Sequence, residues 1–129
     1  MLEYIHQESV DVRWLRGECH RNARQSGWWA EYDTMDEVGR KHFIAGKIAL
    51  VHSEVSEALE GFRKGLKDDH LKDRPMVEVE FADTIIRIMD LAGALKLDVA
   101  GAILEKLQYN QSREDHKPEN RAKAGGKSL

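Results

Sequence analysis

The chain has 129 residues, 20 of them basic and 23 acidic, with a formal net charge of −3 and a single cysteine, Cys19. One domain of this length can build a core without disulfide or metal staples. The near-neutral balance excludes the basic footprint of a dedicated nucleic-acid binder, and one cysteine excludes an internal disulfide framework and fits a reducing cytosol. The opening MLEYIHQESVDVRW carries acids and no long apolar run, so no signal peptide is expected, and no stretch approaches the ~18 apolar residues of a membrane span. The expectation is a cytoplasmic protein with neither nucleic acid nor membrane among its partners.

Two prolines and no sustained period-two alternation argue for an all-α fold. A first helix is expected within residues 4–25, with Val10, Trp14, Leu15 and Cys19 on its inner face, the cysteine as a small buried hydrophobe. Gly27 opens the loop GWWAEYD. Trp28 and Trp29 are adjacent and cannot both enter one core, so one is expected to be partly exposed or to cover a pocket. Thr34 and Glu37 form a capping box for a second helix that runs to Lys64 and stops at Gly65. Its interior glycines, Gly39 and Gly46, imply close packing against another helix or a bend near residue 40. The charged run LKDDHLKDRP is an exposed loop, after which Asp73 and Pro75 mark the start of a third helix reaching about Leu95. Asp98 caps a fourth helix, VAGAILEKLQYNQSRE, with Val99, Ile103, Leu107 and Tyr109 or Asn110 near its inner edge. Pro118 ends any helix, and the tail, about 114–129, reads as a flexible or ligand-ordered end of one domain spanning 1–129. The expected architecture is four-helix bundle-like.

The second and third helices each carry a pair of acids three residues apart: Glu54 with Glu57, and Glu80 with Asp83. Residues three apart share a helix face, with Cβ atoms about 5–6 Å apart. At roughly 100° per residue, Ile44, Ile48, Val51, Val55, Ala58, Leu59 and Phe62 form one apolar stripe, with the first pair on its flank. Val77, Phe81, Thr84, Ile85, Ile88, Leu91, Ala92 and Leu95 form the other, with the second pair on the matching flank. Two antiparallel helices facing each other through these stripes bring equal flanks to the same side, so the four carboxylates converge. Unit charges about 6 Å apart repel by roughly 3 kcal/mol at an effective dielectric near 20, so such a quartet takes up protons or cations. An oxygen-only donor set suits Mg²⁺ or Mn²⁺ rather than zinc. The alternative is a solvated flank beside an apolar stripe, the normal dress of a helix.

An E-x-x-E pair, about 22 residues, then E-x-x-D on the next helix resembles the MazG-like nucleoside triphosphate pyrophosphohydrolases. IALVHSEVSEALEGFRKG looks like that family's first motif helix, and EVEFADTIIRIMDLAGALKLDVAGAILEKLQYNQSR like its second and the helix after it. The resemblance covers residues 48–66 and 78–113, roughly two-fifths of the chain. It implies an all-α enzyme that uses Mg²⁺ to split NTPs or dNTPs into the monophosphate and pyrophosphate, with Glu54, Glu57, Glu80 and Asp83 as metal ligands and Glu57 orienting or deprotonating the attacking water. It implies that Lys106, Asn110 and Arg113, at i, i+4 and i+7 on the fourth helix, meet phosphate or sugar, for which an ammonium and a guanidinium fork are suited. Trp28 and Trp29 lie where such proteins place a base-stacking aromatic. Ser56 stands where glycine is frequent in the first motif, and His52 where another acid is common.

Three other readings compete. A helical oligomerisation module would carry the same acids merely solvated. Dimeric dUTPases and phosphoribosyl-ATP pyrophosphohydrolases share the acid architecture, although no residue here identifies uracil recognition. A di-iron carboxylate bundle needs two Glu-x-x-His pairs, and only Glu3 and His6 have that spacing. Apolar residues off the stripes, Trp14, Ile86 and Met89, point to self-association as a homodimer or homotetramer.

Overall fold

Aspartate caps start the three helices that open at Asp11, Asp36 and Asp98. In the computed structural model, which describes residues 11–127, α1 spans Val12–Gln25 and starts at Asp11, whose carboxylate accepts from the Trp14 amide at 2.7 Å. The earlier part of the expected first helix, with Val10, lies outside the described residues. A short helix, α2 (Ala30–Thr34), replaces the expected loop. It claims Thr34 as its last residue, and the Thr34 hydroxyl donates back to the Glu31 carbonyl at 2.8 Å. Thr34 therefore does not cap the next helix. Asp36 does so, accepting from the Gly39 amide at 2.8 Å, and α3 runs over Glu37–Lys64 to Gly65, left-handed at φ 61° as a C-cap glycine should be.

The loop after Gly65 folds back on itself: the Asp68 carboxylate accepts from the amides of His70 and Leu71, and Met76 N donates to Leu66 O. Helix α4, Met76–Ala94, follows Pro75 with no side-chain cap, so the expected capping role of Asp73 is not taken up. Asp98 caps α5 (Val99–Ser112) through the Gly101 amide, as expected. Pro118 begins a helix instead of ending one. It sits in the first turn of α6, Pro118–Arg121, where a missing N–H costs nothing. Among the described residues there is no strand, only an isolated bridge between Lys67 and Pro75.

Two compact units result, one ending at Leu97 and the other starting at Asp98. In the first, α1 and α3 both pack on α4. Helices α3 and α4 run antiparallel, with Gly61 against Met76 at one level and Glu54 against Arg87 further along. A Cβ at Gly61 would lie 2.8 Å from the Met76 Cβ, so only glycine lets the helices approach this closely. Neither glycine singled out beforehand has that role. Gly46 has nothing within 4 Å of its Cβ position, and Gly39 packs on Asp36, the N-cap of its own helix, and on Met35 just before it.

The expected apolar stripes are buried only in part, at Ala58 of α3 and at Leu91 and Ala92 of α4. Ile48, Val55, Leu59 and Phe62 of α3 are exposed, as are Phe81, Ile85 and Ile88 of α4, with Phe62 at 72%. The buried residues of the pair are Ala58 and Gly61 of α3 and Glu80, Met89, Asp90, Leu91 and Ala92 of α4. Glycine and alanine allow close approach there, while many of the larger apolar side chains of both helices stay exposed.

In the second unit, the 3-10 turn Glu114–His116 and α6 are drawn together by Asn120, whose amide donates to the Glu114 carbonyl, and by Asp115, which pairs with both Arg113 and Lys127. Those two cations hold the Asp115 carboxyl well below the usual range, Arg113 first. The tail as far as Lys127 thus carries a 3-10 turn and one short helix.

Candidate metal centre

On α3, Lys47, Leu50, Glu54, Glu57 and Gly61 recur at three- and four-residue steps and so share one face. On α4, Glu80, Asp83, Arg87 and Asp90 do the same. The meeting of these two faces makes a polar seam. Carboxylate oxygens of Glu54, Glu57 and Glu80 lie within 4.8 Å of one another. The group spans a gradient of burial, with Glu57 exposed, Glu54 intermediate and Glu80 only 7% accessible. Oε2 of Glu80 is buried without a hydrogen-bond partner. Burial, a hydrogen bond that the protonated group donates to Glu54, and the charges of Glu57, Glu54 and Asp83 push the Glu80 carboxyl up to about 7.

The expected quartet closes as a trio. Asp83 is not one of the three that reach within 4.8 Å. It stays close enough to feel them: burial first, then the Glu54 charge, raise its carboxyl above the usual range, against the pull of Arg87. That arginine was missed from the sequence. Its Nε donates to Glu54 Oε1 at 2.5 Å and puts a fixed cation beside the cluster.

Beside the seam lies a cavity of about 790 Å³. Trp14, Glu18, Cys19 and Asn22 of α1 form one wall, Lys47, Leu50 and Glu54 of α3 another, and Asp83, Ile86, Arg87 and Asp90 of α4 the floor, with Trp28 at its edge. Largely apolar walls with a few convergent polar groups are the usual make-up of a small-molecule site. Cys19 is buried, and burial raises its thiol.

The two tryptophans divide as expected: Trp28 is 68% exposed and Trp29 is 1% exposed. Trp29 offers no free face for stacking a base. Its Nε1 donates to Asp90 Oδ1 at 2.8 Å, and its ring packs on His20, Tyr32 and Phe43 at centroid distances of 5.1–5.6 Å. Asp90 Oδ1 also meets His20 Nδ1 at 2.9 Å, and Arg24 Nε donates to His20 Nε2 at 2.9 Å. An arginine has only donors, so Nε2 is the acceptor and His20 carries its proton on Nδ1, directed at Asp90. Asp33 completes the chain, accepting from Arg24 at 2.8 Å.

Lys106, Asn110 and Arg113 belong to the second unit. Lys106 and Asn110 are on α5, whereas Arg113 has left the helix as its extended C-cap and is clamped by Asp115 at 2.9 and 2.6 Å. The single helix face expected for all three therefore holds for only two. Asn110 Oδ1 is buried without a hydrogen-bond partner, and the Lys106 ammonium lies 4.8 Å from the Tyr109 ring centroid.

Among the described residues, no helix is long and apolar enough to cross a membrane. The fold and site thus define an all-α chain with a three-carboxylate cluster able to hold a metal ion. No family model, curated protein or solved structure matches it.

Proposed function

We propose that this chain is a Mg²⁺-dependent nucleotide pyrophosphohydrolase of the MazG-like kind, which splits an NTP or dNTP into the monophosphate and pyrophosphate. The observation that carries this reading is Glu80, a carboxylate more than nine-tenths buried with one oxygen unpartnered, in a group within 4.8 Å of two further carboxylates. Burying such a group costs several kcal/mol unless a cation or proton offsets it. A solvated acidic flank has no reason to accept that cost.

The donor set is oxygen-only, which favours Mg²⁺, with Mn²⁺ as a substitute. Glu54, Glu57 and Glu80 would hold the ion, and Asp83 adds negative charge from the next turn of α4. When bound, Mg²⁺ neutralises the polyphosphate and lowers the pKa of water. Glu57 is the exposed member of the trio and the one free to accept a proton from solvent-derived nucleophile. Trp28, exposed at the cavity edge, is available to stack on a base. Roles for Lys106, Asn110 and Arg113 toward phosphate or sugar rest on the family resemblance, as does cleavage between the α- and β-phosphates.

A homodimer or homotetramer belongs to the same proposal. Val55, Leu59 and Phe62, and likewise Phe81, Ile85 and Ile88, sit at i, i+4 and i+7 with their apolar side chains exposed. Contiguous apolar faces of this kind mark association sites.

The test is a panel of NTPs and dNTPs with Mg²⁺, scored for pyrophosphate against orthophosphate. Pyrophosphate release that disappears in Glu57→Ala, with helical circular dichroism retained, supports the enzyme. Absence of turnover, together with no thermal stabilisation by Mg²⁺ plus a non-hydrolysable nucleotide, leaves the helical oligomerisation module.

A further inference from the structure

Lys47 is a cation that faces the Asp90 charge but makes no direct ion pair among the described residues. It lies on α3 two helical turns before Glu54, on the same face, and lines the same cavity. Its ammonium is 4.6 Å from the Trp29 ring centroid and 5.2 Å from that of Phe43. No described residue gives it a hydrogen bond or an ion pair. Burial holds the ammonium below the usual lysine range, with Arg87 acting in the same direction and Asp90 against it. The platform beneath it is fixed, because Trp29 is fully buried and tied to Asp90 through Nε1. A cation held by ring faces keeps its N–H donors for an oxygen ligand.

The neighbourhood specifies what that ligand is. Glu54 and Asp83 border the same cavity, so a singly charged anion meets repulsion there. A chain of linked phosphates has enough oxygens to take a cation at the carboxylate trio and an ammonium at the same time. Arg87, engaged with Glu54 through Nε, keeps its remaining guanidinium nitrogens for the same task.

We propose that Lys47, seconded by Arg87, is a phosphate-positioning residue: its ammonium takes a non-bridging oxygen of a polyphosphate ester whose metal is held by Glu54, Glu57 and Glu80, with the nucleoside directed along the cavity toward Trp28. This rests on the pyrophosphohydrolase reading and adds to it a phosphate-binding group on α3, distinct from those on α5.

The test is calorimetric titration of the full chain with Mg²⁺ alone, then with inorganic tripolyphosphate at saturating Mg²⁺, in wild type, Lys47→Met and Lys47→Arg. Methionine keeps the aliphatic stem over the rings, and circular dichroism checks the fold. The expected result is Mg²⁺ affinity within twofold of wild type in both variants, tripolyphosphate binding weakened at least tenfold in Lys47→Met, and recovery to within threefold in Lys47→Arg. Tripolyphosphate binding unchanged in Lys47→Met overturns the assignment of the lysine and leaves the enzyme reading intact. Wild-type protein that binds neither Mg²⁺ nor tripolyphosphate overturns both.

Discussion

Arg87 Nε donates to Glu54 Oε1 across the α3–α4 seam at 2.5 Å, so a fixed cation already neutralises part of the acid cluster before any ion arrives. The two kinds of cation compete for one carboxylate. Replacing Arg87 by methionine is expected to raise Mg²⁺ affinity about three- to tenfold, because the ion then meets an unshared Glu54. The same change destabilises the metal-free protein, since Glu54 loses the guanidinium it pairs with. Calorimetric titration and thermal melting with and without Mg²⁺ read the two effects separately. Weaker Mg²⁺ binding in Arg87→Met would show that the arginine orients Glu54 instead of competing for it.

The raised carboxyl of Glu80 fixes the sign of the pH dependence. With a folded value of about 7 against an ordinary 4.5, the folded state binds more protons than the unfolded state between those limits. The Glu80 contribution to metal-free stability therefore falls as pH rises from about 4.5 to 7 and is flat above. Asp83, also raised, adds to the same trend. Asp33 and Asp68 are lowered and have the opposite sign, but their window lies below the ordinary aspartate value of 3.8. The expected loss is on the order of 1–2 kcal/mol once solvent screening is allowed for. Melting of metal-free protein should thus be several degrees lower at pH 8 than at pH 5, Glu80→Gln should flatten the difference, and saturating Mg²⁺ should reverse it. A metal-free melting temperature that climbs from pH 5 to pH 8 would contradict the buried, protonated Glu80.

These two acids show how far the sequence could be read. E-x-x-E and E-x-x-D, with the antiparallel turnaround, were enough to bring Glu54, Glu57 and Glu80 together. Apolar periodicity alone does not mark the contact face of these two helices. In α3 and α4 the closest approach falls at the small residues Ala58 and Gly61 and the charged positions beside them, while Val55, Leu59, Phe62, Phe81, Ile85 and Ile88 stay exposed. A search at three- and four-residue steps from the acids would have found Lys47, Arg87 and Asp90, all on the same seam. The link from Asp90 to His20 and Trp29 spans 70 and 61 residues, and no local pattern announces a contact of that range. Cap assignments failed where two candidates stood close together. Thr34 and Asp36 are two residues apart, and the short helix α2 decides between them.

Trp28 and Trp29 separate stability from binding. Trp29→Phe keeps an aromatic ring in the core but removes the N–H that Asp90 accepts at 2.8 Å. A buried carboxylate that loses a donor costs about 1–3 kcal/mol, so chemical denaturation should show a loss of that size. Trp28, 68% exposed, is expected to cost less than about 0.5 kcal/mol on replacement by alanine, while KM for the nucleotide rises at least fivefold. A Trp28→Ala variant with unchanged KM would remove that residue from the binding site without touching the metal cluster.

Two glycines of α3 should respond to the same substitution with opposite signs. Gly46 has open space where a Cβ would stand, and alanine is the better helix former by about 1 kcal/mol. Gly46→Ala should therefore stabilise the protein by roughly 0.5–1 kcal/mol. Gly61→Ala makes the same propensity gain, but its methyl would meet the Met76 Cβ and Cγ at 2.8 Å. Those atoms sit at the root of the side chain and cannot swing aside, so α3 and α4 must separate. Overpacking of this kind costs about 1–3 kcal/mol, which exceeds the gain. The separation also pulls Glu54 and Glu57 away from Glu80, so Mg²⁺ affinity should fall in Gly61→Ala and stay unchanged in Gly46→Ala. Denaturant melts paired with Mg²⁺ titrations of the two variants measure both quantities. Equal Mg²⁺ affinities in the two would mean that the carboxylate cluster does not depend on the close approach of these helices.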